Sequence, residues 1–487
     1  MKIDGACLCG HLSYEADIDP KKVVICHCTQ CQVSSASAFR FGVLVGKDNF
    51  RLLSGQPKVF VKTAENGNQR ALAFCPECGT SLYGTGVDVQ DFFSLRLGTA
   101  RQRAELVPTS QIWCRSALPW LSQLEGMRKH ERQGARTQSA ALHPFHDAAN
   151  WYGPQMALRC DWFIQLTQSE LAELDAVVDS AIARQLDLVT MTEHDFPLPL
   201  LAPRIRAVRH DILHGRGFAL LRGWPSAERT MAQSAMAFRG IGAHLGEPVS
   251  QNAKGHVLGH VANLGLDYAD PSTRGYQTTA DLKFHTDGGD MVGLLCIRPS
   301  KSGGLSRIAS STTVWNEVVR RRPDLARVLA EPFCFSRVSE VRPGQQRFFR
   351  SPIFQPCQGR MIALLVQSFI QKAQAFDEVP RLTTAQTEAL EFVDTLSGDP
   401  AIRLDMDFRP GDMQFLCNHS VFHSRTSYED WPETERRRHL LRLWLSSPEG
   451  PALPPSITTD FQGATACGRP DGIHIPGTPL IAPLEPA

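Results

Sequence analysis

The sequence of 487 residues lacks both a long hydrophobic run and a marked excess of charge of either sign. No apolar stretch approaches the roughly 20 residues that a membrane-spanning helix needs. Lys and Arg total 51 against 50 Asp and Glu, a net charge of +1 that gives no general attraction to nucleic acid. The first residues have neither the basic nor the apolar region of a secretory signal. We therefore expect a cytoplasmic protein without a membrane or nucleic-acid partner.

Internal repeats and low-complexity tracts are also lacking, so the domains must be found from changes in composition. Residues 1–126 contain short β-prone runs separated by Gly, Pro and Asn turns. Residues 127–150 are polar and locally basic without a sustained apolar period, which is typical of a linker. Residues 151–487 form the second predicted domain, and its proline-rich C-terminal tail is expected to be irregular coil.

A helix is predicted near the start of this second domain. Thr167 stands three residues before Glu170, which is the spacing of a capping box. The apolar residues that would share one face of the helix are Leu171, Leu174, Val178 and Ile182.

Cysteines are scarce over most of the chain but clustered at its start. Seven of the 14 lie in the first 78 residues, namely Cys7, Cys9, Cys26, Cys28, Cys31, Cys75 and Cys78. In a reducing compartment such clustering indicates metal more often than disulfides. Two close pairs, Cys7 with Cys9 and Cys75 with Cys78, could close one structural zinc site. The remaining three would supply a zinc with an open, catalytic position. A purely structural cluster or free thiols are the alternatives.

The stretch "FHTDGGD" offers ligands for a different kind of metal. On a strand, His285 and Asp287 would point to the same face, whereas the direction of Asp290 is not fixed. We expect Asp290 at the mouth of the site or in solvent. A histidine and a carboxylate make two thirds of the triad that holds Fe(II) in oxygenases, although a solvated turn would look the same. The third ligand could be His419 or His423, between which strand parity cannot choose.

Two arginines near the end of the second domain suit an anionic co-substrate. Arg438 and Arg442 are four residues apart in "RRRHLLRLWLS". The planar guanidinium group matches a carboxylate with two hydrogen bonds, as the far end of a dicarboxylate would require. An ion-paired or solvated strand edge is the alternative.

Residues 1–126 resemble the glutathione-dependent formaldehyde-activating enzyme family. The motifs that carry the resemblance are "CLCG", "CHCTQC", "SGQPKVF", "FCPECGTSLY" and "IWCRSALPWL". The resemblance implies a small β-rich fold with a structural zinc on Cys7, Cys9, Cys75 and Cys78. It also implies a second zinc on Cys26, Cys28 and Cys31 that binds the thiol of the substrate, which makes glutathione a candidate partner.

Residues from about 151 to 447 resemble the taurine dioxygenase-like family of Fe(II)- and 2-oxoglutarate-dependent oxygenases. Four motifs appear in the order of the family: "FHTD", "SGGLS", "NHSVFHSRT" and "RRRHLLRLW". The resemblance implies that His285, Asp287 and His423 bind iron, His423 being preferred to His419 because it begins "HSR". Ser306 and Arg438 would bind the distal carboxylate of 2-oxoglutarate, and Arg442 would contact co-substrate or substrate nearer the iron.

The resemblance also implies a fold and a reaction. The fold is a double-stranded β-helix (jelly-roll) core with flanking helices, so the whole chain is expected to be a small β-rich zinc domain followed by this α+β domain. O2 and 2-oxoglutarate would be consumed, with hydroxylation or oxidative demethylation of a small molecule. Arg274, Tyr276 and Asp281 are candidate substrate contacts, although an exposed edge strand would look similar.

Two other functions stay open on the sequence alone. The chain could be a zinc-dependent carbon–sulfur lyase that acts on thiol–formaldehyde adducts, or the zinc domain could be a docking or dimerisation module beside an inactive oxygenase domain. A homo-oligomer is compatible with either.

Overall fold

The computed structural model describes residues 1–64, 66–126, 142–266, 275–338, 340–461 and 463–486. The chain divides into two compact units, Met1–Gly134 and Ala135–Ala487. Part of the predicted linker, residues 127–141, lies outside the described residues. The rest differs from a free linker, because Phe145 is buried in the second unit and its amide donates to Asn316 Oδ1 at 2.7 Å.

The described part of the first unit is built mainly from strands. They are β1 (Lys2–Ala6), β2 (Ser13–Asp17), β3 (Val24–Cys26), β4 (Arg40–Gly46), β5 (Phe50–Ser54), β6 (Lys58–Thr63), β7 (Gln69–Phe74), β8 (Ser81–Gly86), β9 (Phe92–Arg96) and β10 (Ser110–Ile112), with one α-helix, α1 (Thr29–Ser35). One sheet has the order β1-β2-β5 and the other β10-β3-β4-β9-β8-β7-β6. Apolar side chains of both sheets, such as Tyr14 and Val43, share one core.

The second unit combines helices with a larger set of strands. Its helices are α2 (Gly153–Ala157), α3 (Gln168–Ala183), α4 (Ala202–His214), α5 (Met231–Ala243), α6 (Ser311–Arg321), α7 (Pro323–Leu329), α8 (Gln367–Ala373) and α9 (Thr384–Gly398). Its strands are β11 (Phe163–Gln165), β12 (Phe218–Arg222), β13 (Glu247–Pro248), β14 (Leu258–Ala262), β15 (Leu282–His285), β16 (Met291–Arg298), β17 (Ser302–Gly303), β18 (Ser306–Ser310), β19 (Phe333–Ser336), β20 (Phe348–Ser351), β21 (Phe354–Cys357), β22 (Arg360–Ala363), β23 (Leu404–Met406), β24 (Met413–Cys417), β25 (Val421–Arg425), β26 (Tyr428–Glu429) and β27 (His439–Ser446).

Two sheets form the centre of this unit. The larger has the order β11-β12-β24-β16-β27-β13, with β14 also paired to β27, and the smaller has the order β15-β25-β18-β23. Side chains of both sheets, such as Leu416 and Ile308, share one apolar core. Helices α3, α4 and α5 pack against the larger sheet, and α6, α7 and α9 pack with residues of the smaller sheet.

The predicted helix near residue 167 is present as α3, and its start shows why the sequence specifies it. The Glu170 amide donates to the Thr167 hydroxyl at 3.3 Å, and the Thr167 amide donates to Glu170 Oε2 at 2.8 Å. This reciprocal pair is the predicted capping box. Leu174 and Val178 are buried as expected, whereas Ile182 is 37% exposed because it lies in the last turn. Among the described residues, no helix is both long and apolar enough to cross a membrane.

Candidate metal and co-substrate site

Strand pairing brings the two candidate histidine ligands together. In the antiparallel pair of β15 and β25, His285 lies directly opposite His423, and their ring centroids are 4.3 Å apart. Asp287 follows β15 in a turn, with Oδ1 at 4.0 Å from His285 Nε2 and Oδ2 at 3.8 Å from His423 Nε2. One ligand atom from each residue thus lies within 4.8 Å of the others. This spacing fits a single ion held by two imidazoles and one carboxylate.

Neighbouring groups orient these ligands. Asp287 Oδ2 accepts hydrogen bonds from Trp444 Nε1 at 2.9 Å and Arg442 Nη1 at 3.1 Å, which leaves Oδ1 for a metal. Burial would raise the pKa of Asp287, but the Arg442 guanidinium holds that pKa well below its usual range. Burial and the neighbouring His423 lower the pKa of His285 to about 4, so its imidazole is neutral near pH 7. His285 Nδ1 is 2.9 Å from the Lys283 carbonyl, which leaves Nε2 free to bind metal.

Two arginines form a second charged site that includes none of the candidate metal ligands. Arg425 ends β25 and Arg438 directly precedes β27, and both guanidinium groups lie over the ring of Tyr428, at 4.6 and 5.1 Å from its centroid. Burial and the neighbouring Arg438 lower the pKa of Arg425 to about 10. Arg438 Nη1 and the Nε and Nη1 atoms of Arg425 are buried without a hydrogen-bond partner in the described part of the chain. Such unpaired N–H groups on two cations fit a carboxylate, which would accept their hydrogen bonds.

The "SGGLS" motif borders this arginine pair. Ser306 lies opposite Arg425 across β18 and β25, and its hydroxyl donates to Gln414 Oε1 at 3.2 Å. Gly304 has a φ of +71°, and a Cβ added there would lie 3.1 Å from Arg438 Nε. Glycine therefore supplies both the left-handed backbone and the space that Arg438 occupies.

Arg442 differs from Arg438 in what it contacts. Its Nε donates to Gln251 Oε1 at 2.7 Å, and its guanidinium lies over the ring of Tyr276 at 4.7 Å. The side-chain Nε2 of Gln251 in turn donates to the backbone carbonyl of Arg442 at 2.8 Å. Arg442 therefore supports Asp287, whereas Arg438 belongs to the second charged site.

An open cleft of about 630 Å³ is lined in part by two of the candidate metal ligands. Its lining includes His285, Asp287, Arg442, Tyr276, Asp281, Lys283, Phe369, Trp444, Phe461 and Ile473. Two of the three candidate substrate contacts, Tyr276 and Asp281, therefore line this cleft. Asp281 forms an ion pair with Arg307, whose Nη2 is 2.8 Å from Asp281 Oδ1. The third candidate, Arg274, lies outside the described residues.

Four cysteines of the first unit converge as the spacing of their pairs predicts. Cys9 Sγ lies 3.5 Å from Cys7 Sγ and 3.7 Å from Cys75 Sγ, and Cys78 belongs to the same cluster. Four sulfurs at about 2.3 Å from one zinc would be about 3.8 Å apart, so the cluster fits this ion. Hydrogen bonds from Thr80 lower the pKa of Cys78 to about 5, and zinc binds the thiolate form.

The other three cysteines form a separate cluster. Cys26 ends β3, Cys28 caps α1 and Cys31 lies in α1, with their sulfur atoms within 4.8 Å of one another. Arg40 lies opposite Cys26 across β3 and β4, and Arg96 lies on the next strand. Arg40 Nε and Arg96 Nη1 are buried without a hydrogen-bond partner in the described part of the unit. Both cations thus flank the thiol groups.

The structure corrects the expectation for Asp290. The sequence placed it at the mouth of the site or in solvent, but its side chain is fully buried and accepts a hydrogen bond from His419 Nε2 at 2.9 Å. His419 lies in the turn between β24 and β25, and it contacts Asp290 rather than the other candidate ligands. Burial of a carboxylate is costly unless the charge is paired, and its hydrogen-bonded partners make the buried position of Asp290 stable.

Sequence reasoning missed several residues of the site. Arg425 stands two residues after His423 and Trp444 two residues after Arg442, so strand alternation could have placed each with its neighbour. No local pattern indicated Gln251, which reaches Arg442 from a distant loop.

The buried His439, paired with the partly buried His260, predicts a lower free energy of unfolding at acidic pH. His439 Nε2 is 2.7 Å from His260 Nδ1, and Arg298 donates to His439 Nδ1 at 3.3 Å. Burial lowers the pKa of His439 to about 3, against about 6.5 in an unfolded chain. Between these values the unfolded chain binds one more proton, so the free energy of unfolding should fall by up to about 1.4 kcal/mol per pH unit as the pH decreases.

Urea unfolding at pH 7, 6 and 5 measures this slope. The variant His439→Gln, which does not titrate, should have a flatter profile over the same range. Equal slopes in the two proteins would show that His439 is not responsible.

Two histidines and one carboxylate that occupy one side of a metal ion are the ligand set typical of nonheme iron oxygenases. Residues 183–444 match the model of the taurine catabolism dioxygenase TauD, TfdA family, and the chain belongs to that family. Residues 2–116 match the model of the glutathione-dependent formaldehyde-activating enzyme family. Both resemblances that the sequence motifs predict are thereby confirmed.

Known proteins resemble the second part of the chain. FR-33289 synthase of Streptomyces rubellomurinus is 28% identical over 328 residues, which cover 66% of this chain and 95% of that protein. A uridine-5′-phosphate dioxygenase of Amycolatopsis is 26% identical over 275 residues, covering 53% of this chain and 93% of that protein. The crystal structure of an asparagine oxygenase with Fe(II), hydroxyasparagine and succinate aligns with a TM-score of 0.45 at 17% identity, covering 59% of this chain and 94% of that one.

Proposed function

We propose that the second unit is an Fe(II)- and 2-oxoglutarate-dependent dioxygenase that hydroxylates a polar small molecule. The observation that carries the proposal is the convergence of His285, Asp287 and His423 on one point, with two of the three lining the cleft. Such a triad leaves positions on iron for co-substrate and O2, which together supply the oxidising chemistry. The two central sheets with a shared core support the double-stranded β-helix that the family resemblance implies.

Each part of the site has a role in this proposal. Trp444 and Arg442 orient Asp287, and the Lys283 carbonyl orients His285. The unpaired N–H groups of Arg425 and Arg438 support binding of the distal carboxylate of 2-oxoglutarate, with Ser306 beside them. Tyr276 and Asp281 are proposed to contact the substrate, and Arg274 stays a candidate on the sequence alone.

Succinate formation from 2-oxoglutarate tests this function. Protein loaded anaerobically with Fe(II) is exposed to O2 with and without candidate substrates, which include taurine, amino acids and uridine 5′-phosphate. Mass spectrometry then seeks a gain of one oxygen or the loss of a methyl group. Absence of succinate under every condition would contradict the proposal and favour an inactive oxygenase domain.

We propose for the first unit that Cys7, Cys9, Cys75 and Cys78 hold a structural zinc, and that Cys26, Cys28 and Cys31 hold a second zinc that binds a small thiol. The flanking Arg40 and Arg96, with buried unpaired N–H groups, would offset the charge of three or four thiolates on one zinc. If the oxygenase hydroxylates an N-methyl or O-methyl carbon, the product releases formaldehyde. A thiol bound at the second zinc could capture it by adding its sulfur to the carbonyl carbon.

Metal content and formaldehyde release test the role of this unit. We expect two zinc ions per chain, and one in a variant with Cys28→Ser and Cys31→Ser. This variant should release more free formaldehyde during turnover than the unaltered protein when glutathione is present. Two zinc ions in the variant would contradict the assigned ligands, and no formaldehyde from either protein would exclude the capture of this product.

A further inference from the structure

The segment that follows β27 takes part in the metal site. The family match ends at residue 444, and β27 ends two residues later. Phe461 and Ile473 of this segment nevertheless line the cleft beside the metal ligands. The Ile473 amide donates to the Ser250 carbonyl at 2.8 Å, next to the Gln251 that holds Arg442. The tail is therefore packed onto the cleft rather than lying apart from it.

A buried ion pair joins this segment to the turn that carries Asp287. Arg469 donates to both carboxylate oxygens of Asp290, from Nε at 2.9 Å and also from Nη2. The Ser447 amide donates to Asp290 Oδ2 at 2.9 Å, and Arg469 Nη1 donates to the Pro451 carbonyl at 2.7 Å. Asp290 is fully buried and Arg469 is 8% exposed, so water cannot replace either partner.

The same turn is held on its other side by Asn418. Asn418 Oδ1 accepts from the Asp287 amide at 3.2 Å, and Asn418 Nδ2 donates to the Gly288 carbonyl at 2.8 Å. The Asn418 amide donates to the Asp290 carbonyl at 3.0 Å, and the Asp290 amide donates to the Leu445 carbonyl at 2.9 Å. These bonds restrain the backbone of residues 287–290. Asp290 is the residue of this turn that the tail contacts, through Arg469.

We propose that Arg469 is a positioning residue of the metal site, acting through Asp290 on the turn that carries Asp287. The inference rests on the proposed function, because it takes His285, Asp287 and His423 as the metal ligands. The tail beyond the family match is then part of the active site. Without the hydrogen bonds from Arg469 to Asp290, the position of Asp287 would be less restricted. The two histidines lie on paired strands and would keep their positions.

Binding of Mn(II) to the full-length, zinc-loaded protein tests this role without turnover. Mn(II) prefers oxygen and nitrogen ligands to thiolates, and its free form is counted by electron paramagnetic resonance. Arg469→Gln should raise the dissociation constant about 10- to 100-fold, as loss of the groups that orient a ligand does in other metal sites. Arg469→Lys, which keeps the charge, should restore part of the affinity.

A matched control contacts the same segment from another part of the chain. Arg342 binds Asp471 at 2.7 Å and anchors the tail without touching Asp290. Arg342→Gln should leave the Mn(II) affinity within about threefold of the unaltered protein. The double variant Asp290→Asn, Arg469→Gln leaves no unpaired charge in the interior, and should fold and still bind Mn(II) weakly.

The outcomes separate the two proposals. Unchanged affinity in both the Arg469→Gln and the double variant would overturn the positioning role, as would an equal loss in Arg342→Gln. If His423→Ala also left Mn(II) binding unchanged, the assigned ligands and thus the proposed function would be wrong instead.

Discussion

Replacement of His423 by alanine is expected to reduce the 2-oxoglutarate turnover of the protein by at least about a thousandfold, equivalent to about 4 kcal/mol of activation free energy. His423 lies opposite His285 across β15 and β25, and its Nε2 faces Asp287 at 3.8 Å. The two ligands that remain would hold a divalent ion weakly and would not fix its open positions. Succinate formation and bound iron, measured on the same anaerobically loaded sample, report the loss.

His419→Gln is the matched control for this experiment. His419 is only four residues away and equally buried, but it donates to Asp290 and lies outside the triad. The amide of glutamine can still donate to Asp290, so most iron binding should remain. If His419→Gln lost iron and His423→Ala kept it, the choice between the two histidines would be reversed.

Arg438→Gln is expected to raise the KM for 2-oxoglutarate by about 10- to 100-fold, because each hydrogen bond to a charged group contributes about 1.5–3 kcal/mol. Arg438 is almost fully buried and its Nη1 has no partner in the described part of the chain. A carboxylate from the co-substrate would satisfy it, as it would the neighbouring Arg425. The value of kcat at saturating co-substrate should fall less, since the metal ligands are untouched.

The adjacent Arg436 offers a control of the same chemistry. Its side chain is half exposed, lies over the ring of Trp431 and is 3.7 Å from Glu433. Arg436→Gln should leave the KM for 2-oxoglutarate within about twofold. Equal effects of the two substitutions would show that the arginine run acts through its total charge and not through one buried guanidinium.

The family motifs named the candidate site residues, whereas local periodicity accounted for only part of their arrangement. Alternation along a strand predicted that His285 and Asp287 share a face, but β15 ends at His285 and Asp287 lies in the following turn. The two side chains converge because Asn418, Arg442 and Trp444 hold that turn, and all three come from distant parts of the chain. Contacts between residues far apart in the sequence produce no pattern in local spacing, so local periodicity could not predict them.

Other differences have the same physical origin. Asp290 looked like a solvent-facing residue because its partner Arg469 stands 179 positions later in the sequence. Residues 142–150 looked like linker because their polar composition gives no sign of their anchors, which are the buried Phe145 and hydrogen bonds from α6 such as that of Thr312 to Asp147 at 3.2 Å. Helix α3, by contrast, was predictable because its cap and its apolar face lie within one short segment.

Strand β25 carries both a candidate metal ligand and a candidate co-substrate arginine. Correct pairing of this strand and metal uptake should therefore depend on each other. His423 and Arg425 both belong to this five-residue strand, with His285 opposite one and Ser306 opposite the other. A slip of β25 by a single residue would turn both side chains at once to the opposite face of the sheet, where Phe422 packs among the helices. Chains that misfold in this way would lose the proposed metal ligand and the proposed co-substrate arginine together, so that only correctly paired molecules would be expected to take up the metal.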